Sequence, residues 1–289
     1  MLKNKPFFKI PVMYFKKFVR HDVPGLAAEM GFYLLTAVFP FLILLFIIST
    51  LISDSMQELL LYLLTALPRD MENMITDLLL SFSGSLPIII TASVLALWCT
   101  SNVINSLTKA LNRFYGVKET RNFFKMRAMY LLYAIAIIIL IMLSFALIIF
   151  GEGTRFLLDY NNIMPFFNIE DVWNYSRYIT IILVAFIAIV LMFKHLPNKK
   201  LSIKAVAAGS ALTTTAWCVT SYGFSFYVNN FSKYHVIYGS LTSIVILITW
   251  IYMSAFVILL GGSINAFWYR LSIAKSLKGI ADNVKNESK

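Results

Sequence analysis

One long apolar stretch, at about residues 87–112, carries a row of polar side chains that could bind a ligand. On a helix with about 100° per residue they fall within roughly 100° of one another. They are Asn102, Asn105, Ser106, Lys109 and Arg113, with Asn112 at their flank. A charge at bilayer depth costs at least roughly 2.5–3.5 kcal/mol. This polar stripe is therefore expected to face other helices or a water-filled cavity.

The polar stripe has two interpretations. In the functional one it lines a cationic half-channel open to the cytoplasm, and its substrate-binding candidates are Asn102, Asn105, Lys109, Asn112 and Arg113. In the structural one, Lys109 and Arg113 extend from the helix end to the membrane interface, and the asparagines join neighbouring helices.

Glu29 is the acidic residue that lies inside an apolar run, about one turn into the first one and after Asp22 to Gly25, a helix-entry sequence. A lone carboxylate at that depth needs a cation or a proton, and Lys109 or Arg113 would lie at a similar depth. A structural ion pair and a proton-coupling site both remain open, and Glu29 joins the candidate substrate-binding residues.

A short aromatic and polar connection follows residue 228. Asn229, Tyr234 and Tyr238 are candidates for a substrate gate there. Tyrosines are also enriched wherever a helix meets the membrane interface, so an aromatic belt explains Tyr234 and Tyr238 without a gate.

The residue patterns of common enzymes are missing from the sequence. The three histidines, His21, His195 and His235, are dispersed, and there is no HExxH or paired-cysteine pattern. Neither a GxxxxGK[ST] phosphate loop nor a GxSxG motif occurs. Cys99 and Cys218 lie in apolar runs, where packing is their expected role. The sequence predicts no catalytic residue, no metal site and no cofactor, and hence no enzyme.

Composition predicts an all-α polytopic membrane protein. Apolar residues make up 59% of the 289 positions and charged residues 13%, against roughly 45–50% and 25% in soluble domains. Six apolar runs each reach the roughly 17–25 residues that cross a hydrocarbon layer of about 30 Å. They lie at about 26–52, 87–112, 128–150, 177–193, 203–228 and 237–267.

The placement of the cations predicts the orientation. The N-terminal segment, the second and fourth connections and the C-terminal tail hold 21 of the 25 lysines and arginines. The other side holds Arg69, Arg155, Arg177 and Lys233. Because positive charge accumulates on the cytoplasmic side, both termini are expected inside, with six crossings. The net charge of +11 is thereby explained by topology rather than by nucleic-acid binding.

Three regions are predicted along the chain. Residues 1–22 form a cytoplasmic amphipathic segment, residues 23–268 the six-helix membrane domain, and residues 269–289 a basic cytoplasmic tail. The membrane domain includes an outer amphipathic helical hairpin at 54–84, with the same apolar stripe on both sides of Pro68. In the fifth run a four-residue ladder of small residues, broken by Trp217, predicts close packing at the centre of the bundle. It comprises Ala205, Gly209, Thr213, Ser221, Ser225 and Asn229.

Four blocks of the sequence resemble the YihY/BrkB family of bacterial inner-membrane proteins, once labelled ribonuclease BN. The first runs from Asp22 to Glu29 and on to Tyr33 and Phe39-Pro40, and the second from Asn105 to Tyr115. The third spans 227–241, and the fourth is Trp250-Ile251-Tyr252 with 261–266. The resemblance covers about residues 10–270 and implies a six-helix membrane fold and a role in envelope transport. Lipids are a candidate substrate, which the resemblance does not settle. The ribonuclease label is disfavoured, because RNA hydrolysis needs metal-binding carboxylates or histidines and the basic face is nearly free of acids.

Two functions are therefore expected. The first is an envelope transporter or flippase for an amphipathic, anionic, lipid-like substrate. The second is a non-transporting scaffold that organises envelope partners through the outer hairpin. The expected location is the bacterial cytoplasmic membrane, and the expected partners are membrane lipids and no nucleic acid, with a homo-oligomer as an open alternative to a monomer.

Overall fold

The computed structural model describes residues 13–14, 18–52, 76–77, 86–140, 169–231 and 242–287. Within these ranges the chain is helical, with no strand, which confirms the all-α prediction for the described residues. The long helices are α1 (Val23–Ile52), α2 (Leu86–Tyr115), α3 (Phe123–Leu140 in its described part), α4 (Ile169–His195), α5 (Ile203–Phe231) and α6 (Thr242–Glu287).

Four stretches of these helices are both long and apolar enough to cross a membrane. They are Val23–Leu44, Ile90–Tyr115, Phe123–Leu140 and Ile244–Ala274. In α4 the apolar stretch Ile179–His195 is shorter, and α5 is long but rich in Ser and Thr. The described residues thus contain four helices that could cross a membrane by length and composition, while the number of six crossings stays a prediction.

Local sequence explains where α1 begins and α2 ends. Asp22 adopts a φ of 52° and its Oδ1 accepts the Gly25 N–H at 3.3 Å, so it turns the chain and caps α1. Gly116 has a φ of 65°. Its N–H bonds the Arg113 carbonyl and the Val117 N–H bonds the Asn112 carbonyl, at 3.2 and 3.0 Å. This pattern is a Schellman C-cap, which needs the left-handed conformation that glycine adopts without strain.

One end of the bundle collects the four segments that are predicted to be cytoplasmic. Asn198 Nδ2 donates to the Lys118 carbonyl at 2.8 Å, which joins the α4–α5 connection to the α2–α3 connection. Arg270 of α6 donates to the Phe114 carbonyl at 2.6 Å. Arg113 donates to the Arg20 carbonyl at 3.4 Å, which adds the N-terminal segment. The alternate basic segments therefore lie together, as the predicted orientation requires.

Small residues set the packing of α5 on α6. A β-carbon added at Gly209 would collide with the Asn265 amide, and one added at Gly261 would collide with the Thr213 side chain. The ladder of small residues thus brings the two backbones close together over this part of α5, as predicted. Its outer part differs, since Ser225 is exposed in the part of the chain that the structure describes.

The structure describes different shares of the three predicted regions. The outer hairpin at 54–84 lies outside the described residues except for 76–77, which are helical. In the N-terminal region, Tyr14 shares a hydrogen bond of 2.8 Å with Ser263 and stacks edge-on against Phe267, while Phe18 contacts Phe256. This segment therefore packs on α6, and α6 itself continues beyond residue 268 to Glu287.

Candidate functional site

The polar stripe of α2 divides into an exposed face and a buried edge. Lys109 and Arg113 are exposed, and Asn102 and Asn105 are half-buried. Asn112 and Ser106 are buried, at 7% and 2% exposure. We call the row Trp98, Asn102, Asn105, Lys109 and Arg113 the polar face of α2, because these positions repeat every three or four residues.

Glu29 of α1 lies beside the polar face and pairs with one of the two cations named as its partners. Its Oε1 is 3.7 Å from Lys109 Nζ, and the side chains are 38% and 58% exposed respectively. An exposed pair at this separation is worth about 0–1 kcal/mol in water. The contact is thus loose enough for either group to exchange its partner for a ligand.

Arg127 of α3 flanks the other side of the polar face, and the sequence did not identify it. Its Nη1 donates to Asn102 Oδ1 at 3.1 Å, and its guanidinium carbon lies 3.9 Å from the centre of the Trp98 ring. Its Nη2 is buried without a hydrogen-bond partner among the described residues. The site therefore holds a third cation near the deepest asparagine.

The charges of the site do not balance. Arg127, Lys109 and Arg113 are cationic, and in the described part of the chain Glu29 forms an ion pair with Lys109. Arg113 instead donates to a carbonyl. A net positive face flanked by α1 and α3 can bind an anionic group through charge-assisted hydrogen bonds.

Asn112 has a different environment from the rest of the candidates. Its Nδ2 donates to Glu119 Oε2 at 2.8 Å, and its Oδ1 accepts the Asn198 N–H at 2.7 Å. Both ends of the amide are thereby occupied. Asn112 joins the two basic connections, which agrees with the structural interpretation for this one residue.

Glu119 and Arg121 complete this junction. Arg121 donates Nε to Glu119 Oε1 and Nη2 to Oε2, both at 2.7 Å, and it also donates Nη2 to the Leu196 carbonyl at 2.8 Å. The hydrogen bonds from Arg121 lower the pKa of Glu119 to about 2, and those to Glu119 raise the pKa of Arg121. We call Asn112, Glu119, Arg121 and Asn198 the loop junction.

The remaining predicted features are only partly described. Asn229 lies near the end of α5 without a described side chain, and Tyr234 and Tyr238 lie outside the described residues, so the gate stays a prediction. Across the described ranges, no group of three His, Cys, Asp or Glu side chains could hold a metal ion.

Neighbouring helices explain what the sequence missed. The sequence pattern places Arg121 and Arg127 among the cations of the second basic connection and assigns no role to Glu119. The available signal was the antiparallel pair α2 and α3, joined by seven residues (116–122), which places the first turns of α3 beside the second half of α2.

Comparison with known proteins identifies the family. A Bacillus subtilis protein named ribonuclease-like protein YfkH is 30% identical over 261 residues, which cover 89% of this chain and 94% of the relative. A UPF0761 membrane protein of Vibrio campbellii is 27% identical over 57% of this chain and 50% of the relative. Another, from Pseudoalteromonas translucida, is 34% identical over 29% of this chain and 28% of the relative. No solved structure matches. Residues 14–281 match the family described as virulence factor BrkB, and since this is most of the chain, the protein belongs to that family.

Proposed function

We propose that the protein is a transporter or flippase of the bacterial cytoplasmic membrane for an amphipathic, anionic, lipid-like substrate. The observation that carries this proposal is the excess of positive charge on the half-exposed polar face of α2. In the described part of the chain, this face has three cations, which are Arg127, Lys109 and Arg113, and one ion-paired carboxylate, Glu29. A bundle that only had to span the membrane would gain nothing from such a face.

The depth of the polar face supports a translocation path. Asn102 lies 13 residues before Tyr115, the last residue of α2, and hence about 20 Å from the helix end at about 1.5 Å per residue. Asn102 is therefore the asparagine of the polar face that lies farthest from the basic end of α2. Arg127 and Asn102 would hold a headgroup there, and Asn105, Lys109 and Arg113 would carry it to the cytoplasmic interface.

The proposed orientation has six crossings with both termini in the cytoplasm. Its support is the gathering of the N-terminal segment, the two basic connections and the end of α6 at one end of the bundle. Lateral access from the membrane to the polar face suits a lipid, because its acyl chains can remain in the bilayer while its headgroup follows α2.

We do not extend the ribonuclease-like name of the Bacillus subtilis relative to this chain. Metal-assisted hydrolysis of RNA requires carboxylates or histidines around a basic surface. Residues 172–281 contain neither Asp nor Glu. The proposed partners are membrane lipids rather than nucleic acid.

The alternative, a non-transporting scaffold, has one observation in its favour. Both ends of the Asn112 amide form hydrogen bonds within the protein, as is typical of a polar residue in a permanently packed bundle. This observation concerns the buried edge of α2 and leaves the exposed polar face unexplained, so transport is the function that we favour.

A lipid-translocation assay in proteoliposomes tests the proposal. The probe is fluorescently labelled phosphatidylglycerol, and the variant is the double substitution Lys109→Gln with Arg113→Gln. Because these two cations supply the positive excess at the cytoplasmic half, we expect the translocation rate to fall at least tenfold while the protein still inserts and folds.

The matched control is Lys118→Gln with Lys125→Gln, which removes two exposed cations at the same end but away from the polar face. This control should keep the wild-type rate. A wild-type rate in a well-folded Lys109→Gln and Arg113→Gln variant would refute the proposal. Absence of translocation by the wild-type protein would favour the scaffold.

A further inference from the structure

A second lipid-facing feature lies outside the polar face of α2, between α3 and α4. It is an apolar groove of about 200 Å³. Tyr133 and Ile137 line it from α3, and Ile187, Ala188 and Leu191 line it from α4. We call it the α3–α4 groove. Its hydrocarbon lining suits an acyl chain, which would make dispersion contacts there.

A basic cavity of about 400 Å³ opens where α4 ends. Lys194, His195, Lys199 and Lys200 contribute to it, together with the loop residue Asn198. We call it the basic cavity. The Lys199 ammonium lies 4.5 Å from the centre of the Tyr269 ring of α6, so the cavity wall is anchored to the last helix.

Residues that line the groove and residues that line the cavity follow one another along one stripe of α4. Ile187, Leu191 and Lys194 follow each other at spacings of four and three residues, and His195 lies four residues after Leu191. Residues at these spacings share a helix face. The stripe therefore changes from apolar to cationic within about one turn, which matches the junction of an acyl chain and a phosphate headgroup.

Within the ranges that the structure describes, no salt bridge joins a carboxylate to the cations of the basic cavity. Residues 172–281, which include all of its lining, contain neither Asp nor Glu. On the facing connection, Glu119 is bound through both carboxylate oxygens by Arg121. Three lysines in an open cavity at the membrane interface attract an anion, at about 1 kcal/mol for each Lys near an anionic surface.

We propose that this composite site binds one anionic phospholipid of the cytoplasmic leaflet. One acyl chain lies in the α3–α4 groove, and the phosphate is held by Lys194 and Lys200 with Lys199 beside them. The site is separate from the polar face of α2, and its lipid binding does not depend on transport. Only the choice of leaflet rests on the proposed orientation.

Binding of defined lipids to the purified full-length protein in detergent tests this proposal. Native mass spectrometry would compare phosphatidylglycerol with phosphatidylcholine of the same acyl chains. We expect phosphatidylglycerol to bind at least tenfold more tightly. In a background that carries Lys109→Gln and Arg113→Gln, so that these cations of the polar face no longer contribute to the preference, Lys194→Gln with Lys200→Gln should remove it. Arg20→Gln with Lys125→Gln, an equal change of charge at exposed positions outside the basic cavity, should keep it.

A second pair of variants tests the groove. Ala188→Phe fills it and should weaken the binding of both lipids at least fivefold, while Ala128→Phe, at an exposed position of α3, should leave binding unchanged. The proposal would be overturned if the Lys194→Gln and Lys200→Gln variant and its control lost the preference for phosphatidylglycerol to the same extent. So would full competition by inorganic phosphate, which would indicate a soluble anion, or a dimer in which a second copy closes the groove. Unchanged binding in Ala188→Phe would overturn the placement of the acyl chain.

Discussion

Glu119→Gln is the substitution whose effect can be worked most directly from the structure. It keeps the shape of the side chain but removes the charge that Arg121 holds through two hydrogen bonds of 2.7 Å. Because the same carboxylate accepts from Asn112 at 2.8 Å, the substitution weakens the whole loop junction. We expect it to destabilise the end of the bundle at which the two basic connections meet.

The magnitude follows from the pKa of Glu119. Folding lowers this pKa from an ordinary 4.5 to about 2, and one pKa unit corresponds to about 1.4 kcal/mol, which gives an upper limit of about 3.5 kcal/mol. The side chain is 25% exposed, so solvent screening reduces the expected contribution to about 1–2 kcal/mol. Since the folded pKa is the lower one, this stability is fully present above pH 4.5 and is lost as the pH falls towards 2.

Thermal unfolding in detergent is the assay, with wild type and Glu119→Gln compared from pH 7 to pH 3. At pH 7 the variant should unfold a few degrees lower, at roughly 2–4 °C per kcal/mol for a chain of this order of size. The difference should shrink below pH 4.5, because the Glu119 carboxylate becomes protonated in the unfolded wild type while it stays ionised in the folded protein.

The comparison variant is Glu29→Gln, whose ion pair is longer, at 3.7 Å, and more exposed, so its unfolding temperature should stay close to that of the wild type. If Glu119→Gln matches the wild type at pH 7, or if their difference is the same at every pH, the inferred role of the carboxylate is wrong.

Two other predictions concern packing and orientation. Gly209→Ala should lower the stability by about 1–3 kcal/mol, a typical cost of overpacking, because the Asn265 amide that it would meet is held by the Val206 carbonyl at 3.1 Å. Gly223→Ala in the same helix meets nothing within 4 Å and should be neutral or stabilising in the same thermal assay; equal effects would show that the α5–α6 contact is looser than described. In a variant with Cys99 and Cys218 replaced by serine, single cysteines at Lys118 and Lys285 should resist a membrane-impermeant reagent in intact cells, and labelling at either position would contradict the proposed topology.

The helices could be predicted from the sequence because their signal is local. Each apolar run places enough hydrocarbon in a row to define a helix without knowledge of its neighbours, and the run at about 87–112 corresponds to α2 (Leu86–Tyr115). The caps are local as well. Asp22 and Gly25 are three residues apart, which is why the helix entry could be recognised.

The pairing of charges could not be predicted in the same way. Twenty-one cations lie on the basic segments, and nothing local distinguishes Arg127, which reaches Asn102 on a neighbouring helix, from Lys125, which is exposed. The loop junction depends on the α4–α5 connection meeting the α2–α3 connection, and Asn198 is 86 residues away from Asn112. Such contacts depend on tertiary packing, which the sequence pattern does not specify.

The two proposed lipid sites meet on α3, and the geometry of that helix decides how they relate. Arg127 faces the polar face of α2, whereas Tyr133 and Ile137 line the α3–α4 groove. At about 100° per residue, these two groove positions lie about 80–120° around α3 from Arg127. One headgroup therefore cannot contact Arg127 and the basic cavity at once, because the body of α3 separates them. A lipid in the groove is then a neighbour of the translocation path rather than its substrate.

The two pairs of substitutions should therefore affect different measurements. Lys194→Gln with Lys200→Gln should weaken lipid binding, and Lys109→Gln with Arg113→Gln should lower the translocation rate. If the first pair also slowed translocation, α3 would have to transmit the effect by moving as a rigid helix between the two sites.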